Sequence, residues 1–302
     1  MRMKGRGLSL IGVASSAGAR RTGQDGAPAA YRAAGLLEKL RAKGLDVVDA
    51  GDSPAVSYRP DPGHPRQQNV GLVAQVARET ADRVERAAAS GRVPLVLGGD
   101  CTVGIGVVAG LCRRHPRLGL LYFDGDVDLN TPDTTPSGIF DGMVVAHLLG
   151  RGVPDLAGLG PRIPLLSEED VVLFGYDEES GSFDPPELEA LEHSRISRYP
   201  LARVRPDPAA AAREALSYLQ KGPDAFLLHF DVDVTNLSAA DVHHRRGLDL
   251  GPAFAALKVF LASPACAALV VTEFNAKKDK DGSDAARVVD ALVESFDVQR
   301  GN

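Results

Sequence analysis

Residues 118–128 read Leu-Gly-Leu-Leu-Tyr-Phe-Asp-Gly-Asp-Val-Asp. An uncharged, largely apolar run leads straight into three aspartates at alternating positions. A continuous run of this kind fits a strand buried on both faces of a parallel sheet. In such sheets ligands sit beyond the carboxyl ends of the strands, which is where Asp124, Asp126 and Asp128 fall. Similar runs recur on both sides, at Leu8–Val13, Asp46–Ala50, Val93–Leu97, Val171–Gly175, Ala225–Phe230 and Ala267–Thr272. Segments of helical period lie between them, at Ala29–Lys43, Val70–Ala89, Val103–Arg114, Pro208–Gln220, Pro252–Leu261 and Asp284–Gln299. Strand and helix alternate throughout, so the expectation is one α/β domain over residues 1–302, three-layered (αβα) with a mostly parallel sheet. Two stretches rich in Pro, Gly and charge, around Asp52–Gln68 and Gly152–Glu168, read as loops.

Composition narrows the function classes. Of 302 residues, 44% are hydrophobic and 25% charged, which is globular and excludes a disordered or fibrous chain. There is no run of about 18 apolar residues, so no membrane span is expected. Lys and Arg number 34 against 40 Asp and Glu, a net charge of −6 that argues against non-specific nucleic-acid binding. Cys101, Cys112 and Cys266 are odd in number and widely spaced, so no disulfide framework is implied. Cys112 and Cys266 read as core residues. Leu8–Val13 is too short for a signal-peptide core, and a cytoplasmic location is expected.

Acidic motifs follow the other central runs as well. Val93–Leu97 ends in Gly98-Gly99-Asp100-Cys101, Ala225–Phe230 in Asp231-Val232-Asp233, and Ala267–Thr272 in Glu273-Phe274-Asn275. Carboxylates at alternating positions on a strand end point the same way. So many on one sheet edge would repel strongly unless cations lay between them. Hard divalent metals take oxygen ligands, and paired ions about 3.5–4 Å apart are usual in hydrolytic two-metal sites.

These motifs, in this order, resemble those of the ureohydrolases, the arginase and agmatinase superfamily, over nearly the whole chain. The arginase branch fits best, because Asp128-Leu129-Asn130-Thr131-Pro132 runs into Thr134-Thr135-Pro136-Ser137-Gly138. The resemblance implies that Asn130, Thr135 and Ser137 grip the α-carboxylate of a guanidino amino acid. It implies one Mn²⁺ on Cys101, Asp124, Asp128 and Asp231 and another on Asp124, Asp126, Asp231 and Asp233. It further implies attack by a metal-bridging hydroxide on the guanidinium carbon, with Glu273 orienting the guanidinium group. Asp177, Glu178 and Glu179 loosely match a segment that meets the substrate ammonium. A trimer or hexamer is expected on the same ground.

Three positions depart from the family pattern. Cys101 and Asp126 stand where the two ligand histidines are usual, and Asp141 where a histidine assists proton transfer. Five aspartates and a thiolate would carry six negative charges against four on two divalent ions. That excess is costly in a partly dry pocket, so a neutral Cys101 thiol, a protonated carboxylate or a different metal content is expected. A thiolate favours zinc or iron while the carboxylates favour manganese or magnesium, so the ligand set does not name the metal. Asp141 suits general acid–base work only if crowding raises its pKa. Cys101 as a nucleophile is the weaker alternative, His229 being its nearest partner candidate; a buried, hydrogen-bonded histidine is the simpler reading of His229. His243-His244-Arg245-Arg246, after the second D-x-D motif, reads as an altered substrate wall or as a solvated loop. Three functions stay open: a metal-dependent hydrolase of arginine or an arginine-like substrate such as N-hydroxyarginine, a non-catalytic metal-poor homologue serving a partner, and a metal enzyme whose reaction has moved away from urea release.

Overall fold

The computed structural model describes residues 7–181 and 183–296. Among the described residues eight strands are formed, β1 (Leu8–Gly12), β2 (Val47–Asp52), β3 (Val93–Leu97), β4 (Leu118–Phe123), β5 (Val171–Phe174), β6 (Ser197–Tyr199), β7 (Ala225–Asp231) and β8 (Cys266–Thr272). They lie in one sheet in the order β2-β1-β3-β8-β7-β4-β5-β6, every neighbouring pair parallel. The expected αβα architecture is therefore found, with the sheet parallel throughout.

The burial explains the sequence pattern. In β4, Leu121 and Phe123 pack into one apolar layer while Leu120 and Tyr122 pack into the other. In β7, Leu228 and Phe230 face the first layer and Leu227 the second. Helices Leu36–Ala42, Pro208–Leu219, Leu250–Leu261 and Ser283–Ser295 cover the first face; Val70–Ala89 and Val103–Cys112 cover the second. Neither face of a central strand meets water, so alternation has no advantage there.

Some expectations are corrected. The helix expected over Ala29–Lys43 divides into Ala27–Ala33 and Leu36–Ala42, because Gly35 takes a left-handed φ of 82° that ends the first and redirects the chain. The last helix runs over Ser283–Ser295; the expected continuation through 297–299 lies outside the described residues. Strand β6 and the helix Pro185–Glu192 were not anticipated. The irregular stretch after Asp52 holds no helix or named strand up to Asn69, and the second irregular stretch holds the single helical turn Pro154–Ala157 before Glu168. Among the described residues no helix is long and apolar enough to cross a membrane.

Strands β3, β8, β7 and β4 form the middle of the sheet, and the register aligns their carboxyl ends. Leu97 pairs with Val271, Asp231 with Thr272, and Phe123 with Phe230. Residues 101, 124, 231 and 273 consequently leave the sheet side by side.

Candidate metal centre

Two tight turns shape the acidic motifs. Asp124 Oδ1 accepts a hydrogen bond from Asp126 N (2.7 Å), and Asp231 Oδ1 from Asp233 N (2.7 Å), so each first aspartate bends the chain that carries the second. Asp128 (φ 49°) and Glu273 (φ 64°) occupy left-handed backbone conformations that non-glycine residues seldom adopt, a strain typical of functional sites. Cys101 lies between the motifs. Its thiol donates to Asp231 Oδ2 (2.7 Å) and lies 3.8 Å from Asp124 Oδ2, 3.4 Å from His229 Nε2 and 3.3 Å from Thr272 Oγ1. Its backbone N–H donates to both Asp141 Oδ1 (2.8 Å) and Glu273 Oε1 (3.1 Å). Asp128 Oδ2 accepts from the Tyr122 hydroxyl. Asp100, in contrast, is spent on structure: it accepts from Ser15 Oγ, Gly18 N and Thr102 N.

The electrostatics follow from burial. Asp124 is held well above the usual carboxylate range, first by burial and then by Asp233 and Asp126. Burial followed by Asp233 and Asp124 does the same to Asp231, and burial followed by Asp124 and Asp141 to Asp128. Asp141 and Glu273 are likewise raised, burial again being the larger cause. The Cys101 thiol is pushed up by burial and then by Asp231 and Asp124, so without a cation it keeps its proton. Burial takes His229 down to about 3, which leaves its imidazole neutral.

This donor set suits divalent cations. Ligand-capable atoms of Cys101, Asp124, His229 and Asp231 lie within 4.8 Å of one another, and so do those of Asp126, Asp233 and His244. Cations would relieve the repulsion that otherwise forces protons onto the carboxylates. Two histidines thus stand beside the positions where Cys101 and Asp126 depart from the family pattern. His229 was noticed in the sequence as a core residue, and its Nδ1 is buried without a partner. His244 belongs neither to a solvated loop nor to the cavity wall: it is 7% exposed and packs behind Asp126 and Asp233. Burial disfavours its imidazolium, but Asp126 and Asp233 outweigh that and push its pKa up to about 11.

A cavity of about 370 Å³ opens over the centre. Its walls include Asn130, Thr135, Ser137, Asp141 and Glu273 as well as Cys101, Asp124, Asp126, Asp128, Asp231 and Asp233, so the candidates from four separate segments converge. Asp177 does not line it; that carboxylate faces Arg246, whose Nε lies 3.5 Å away. Asp184 and Glu187, at the start of the helix Pro185–Glu192, do line the cavity. Asn130 Nδ2 donates to Asp184 Oδ2 (3.4 Å), and Leu129 N to Glu187 Oε1 (3.0 Å). The Asp-Pro-Pro-Glu start of that helix was the available signal, since proline at the first helical position after a capping residue marks an amino terminus. Burial, then Asp126 and Asp184, raise Glu187 to about 7 against the opposing Leu129 N–H.

Comparison with known proteins accords with this geometry. The Arginase family model matches residues 6–297. The chain is 34% identical over 237 residues to an arginase of Bacillus caldovelox, covering 78% of this chain and 77% of that one. To Arginase-1 of Homo sapiens it is 35% identical over 240 residues, covering 77% and 73%. The crystal structure of an arginase from Bacillus cereus superposes with a TM-score of 0.87 at 28% identity, covering 98% of this chain and all of the other. The family model spans nearly the whole chain and these relatives cover more than two thirds of it, and the chain belongs to the arginase family.

Proposed function

We propose that the protein hydrolyses the guanidino group of arginine, or of an arginine-like amino acid such as N-hydroxyarginine, releasing urea or hydroxyurea. The observation that carries this reading is the polarity of one cavity, with neutral donors Asn130, Thr135 and Ser137 on one side and the acidic centre with Glu273 on its floor. Neutral donors suit an α-carboxylate, and an acidic floor suits a guanidinium cation. Asp184 and Glu187, which line the same cavity as Asn130, would meet an ammonium group.

Two divalent ions, Mn²⁺ by family resemblance, would be held by Asp124, Asp126, Asp128, Asp231 and Asp233 with Cys101 in the first set. When bound they would lower the pKa of water and so supply a nucleophile near neutral pH. The chain's own part is to orient and to move protons. Glu273, fixed by the Cys101 N–H and by Gln24 Nε2 (3.4 Å), would align the guanidinium nitrogens. Asp141, whose carboxyl burial raises above the ordinary carboxylate range, would act as the acid that gives its proton to the leaving amine as water adds and the C–N bond breaks. Action in the cytoplasm and assembly as a trimer or hexamer belong to the same proposal; a monomer in sedimentation would refute the assembly.

One observation favours a second reading. The Cys101 thiol is bonded to Asp231, a shared candidate ligand, as a metal-poor, non-catalytic homologue would allow. Metal analysis separates the two: two equivalents of divalent ion per chain support the enzyme, and none after metal loading supports the homologue. Urea and hydroxyurea release should then be measured on arginine, N-hydroxyarginine and agmatine. Turnover of agmatine alone would overturn the carboxylate-loop argument, and silence on all three in metal-loaded protein would overturn the hydrolase reading.

A further inference from the structure

His244 is buried against the acidic centre, 7% exposed, and its Nε2 has no hydrogen-bond partner. That nitrogen is nonetheless close to two carboxylates, 3.3 Å from Asp126 Oδ2 and 3.7 Å from Asp233 Oδ2. A hydrogen bond would put one oxygen in line with the ring nitrogen. Here two oxygens flank it. Three donors each about 2.1 Å from a common ion, at angles of about 90–110°, stand roughly 3.0–3.5 Å from one another. The observed separations are close to that spacing, and the three donor atoms form a compact set within 4.8 Å.

The backbone around the imidazole is fitted to it. Gly125, between Asp124 and Asp126, is not in the left-handed region, so its conformation does not demand glycine. A Cβ at that position would come within 2.7 Å of His244 Cδ2 and 2.9 Å of its Nε2. The missing side chain makes room for this ring. Gly125 N also donates to Asp233 Oδ1 (3.2 Å), which leaves Oδ2 as the atom facing His244.

We infer that His244 Nε2 is a ligand of the second divalent ion, completing with Asp126 and Asp233 a mixed nitrogen–oxygen set. This rests on the metal-centre reading above and goes beyond it in naming the ligand. As a ligand the ring gives up its Nε2 proton to solvent, and the neutral imidazole then adds a donor without adding negative charge, which suits a centre already rich in carboxylates. Imidazole also moves preference away from magnesium and calcium towards iron, nickel, copper and zinc.

The test compares the full-length protein with His244→Gln and Gly125→Ala, each dialysed against Mn²⁺ and analysed for metal, with pulsed EPR for nitrogen coupling to the bound Mn²⁺. The wild type should hold two ions. Both variants should keep one ion while affinity for the other falls at least about ten- to a hundred-fold, the loss already seen when groups that only orient the ligands are removed. The nitrogen coupling assigned to the second ion should be present in the wild type and lost in His244→Gln. Two ions in the wild type, with unchanged affinity and coupling in both variants, would overturn this inference alone and leave the metal centre standing. Tighter binding in His244→Gln would also overturn it, by making the imidazole a counter-charge that competes with the ion. No metal in the wild type would overturn the metal-centre reading and this inference with it. Should a variant fail to fold, absence of nitrogen coupling in the loaded wild type still decides against the assignment.

Discussion

Glu187→Gln offers a measurement in which the structure sets the size of the effect. Burial, reinforced by Asp126 and Asp184, lifts this carboxyl from an ordinary 4.5 to about 7. An acid whose pKa is higher in the folded state than in the unfolded one binds more protons when folded, so stability is highest below the unfolded pKa and falls as pH rises towards the folded one. A shift from 4.5 to about 7, at about 1.4 kcal/mol per unit, corresponds to roughly 3.5 kcal/mol in full, of which about 2.5 kcal/mol falls between about pH 5 and about pH 8. Glutamine occupies the same volume, can still accept from Leu129 N and does not titrate. The assay is urea unfolding of metal-free protein across that pH range, so that an ion does not screen Asp126. The stability of Glu187→Gln relative to the parent should rise by about 2.5 kcal/mol from the acid to the alkaline end, most of it between about pH 5 and about pH 7. Parallel stability curves for parent and variant would refute the reasoning, because they would mean that Glu187 ionises as freely in the fold as in the unfolded chain.

Two further outcomes are expected. Asp124→Asn should abolish metal retention because it removes a carboxylate central to both ions, whereas Asp141→Asn should leave retention nearly intact, its amide oxygen still accepting from Cys101 N, and should lower turnover about 10²- to 10⁴-fold; equal retention by both variants in equilibrium dialysis would sink the assignment. Chelation should lower the melting temperature more at about pH 8 than at about pH 5, since Asp124, Asp128 and Asp231 are raised by burial in the metal-free fold and their ionisation then costs stability.

The central strands were legible because burial on both faces leaves mostly apolar residues, and the acidic motifs were legible because each follows such a run. Strand β6 was not, since it has three residues, one of them buried, and pairs only with β5 at the sheet edge. The break at Gly35 lies inside a segment of otherwise good helical period, where one glycine is a weak signal. At the site, Asp124, Asp231 and Glu273 could be placed by strand ends alone. His244 and Glu187 could not: each lies in a segment whose approach to Asp126 or Leu129 is fixed by tertiary packing. Asp177 shows the converse limit, as its position after β5 matched loosely while the fold turned it towards Arg246.

The strand order also governs how the protein can be synthesised. Translation delivers β1 to β6 before β7 and β8, yet these last two fill the middle of the sheet. Until β7 leaves the ribosome β4 has no neighbour on its inner side, and until β8 follows β3 has none on its own; before β7 the strands can pair only as two separate three-stranded halves. Open apolar strand edges are templates for wrong pairing, and parallel pairing across long sequence separations is slow. A nascent chain stalled before β7 would lack both inner strands together with Asp231 and Glu273. Premature termination there would not trim an appendage; it would leave the sheet cleft along its centre line, a strong candidate for capture by chaperones or for aggregation.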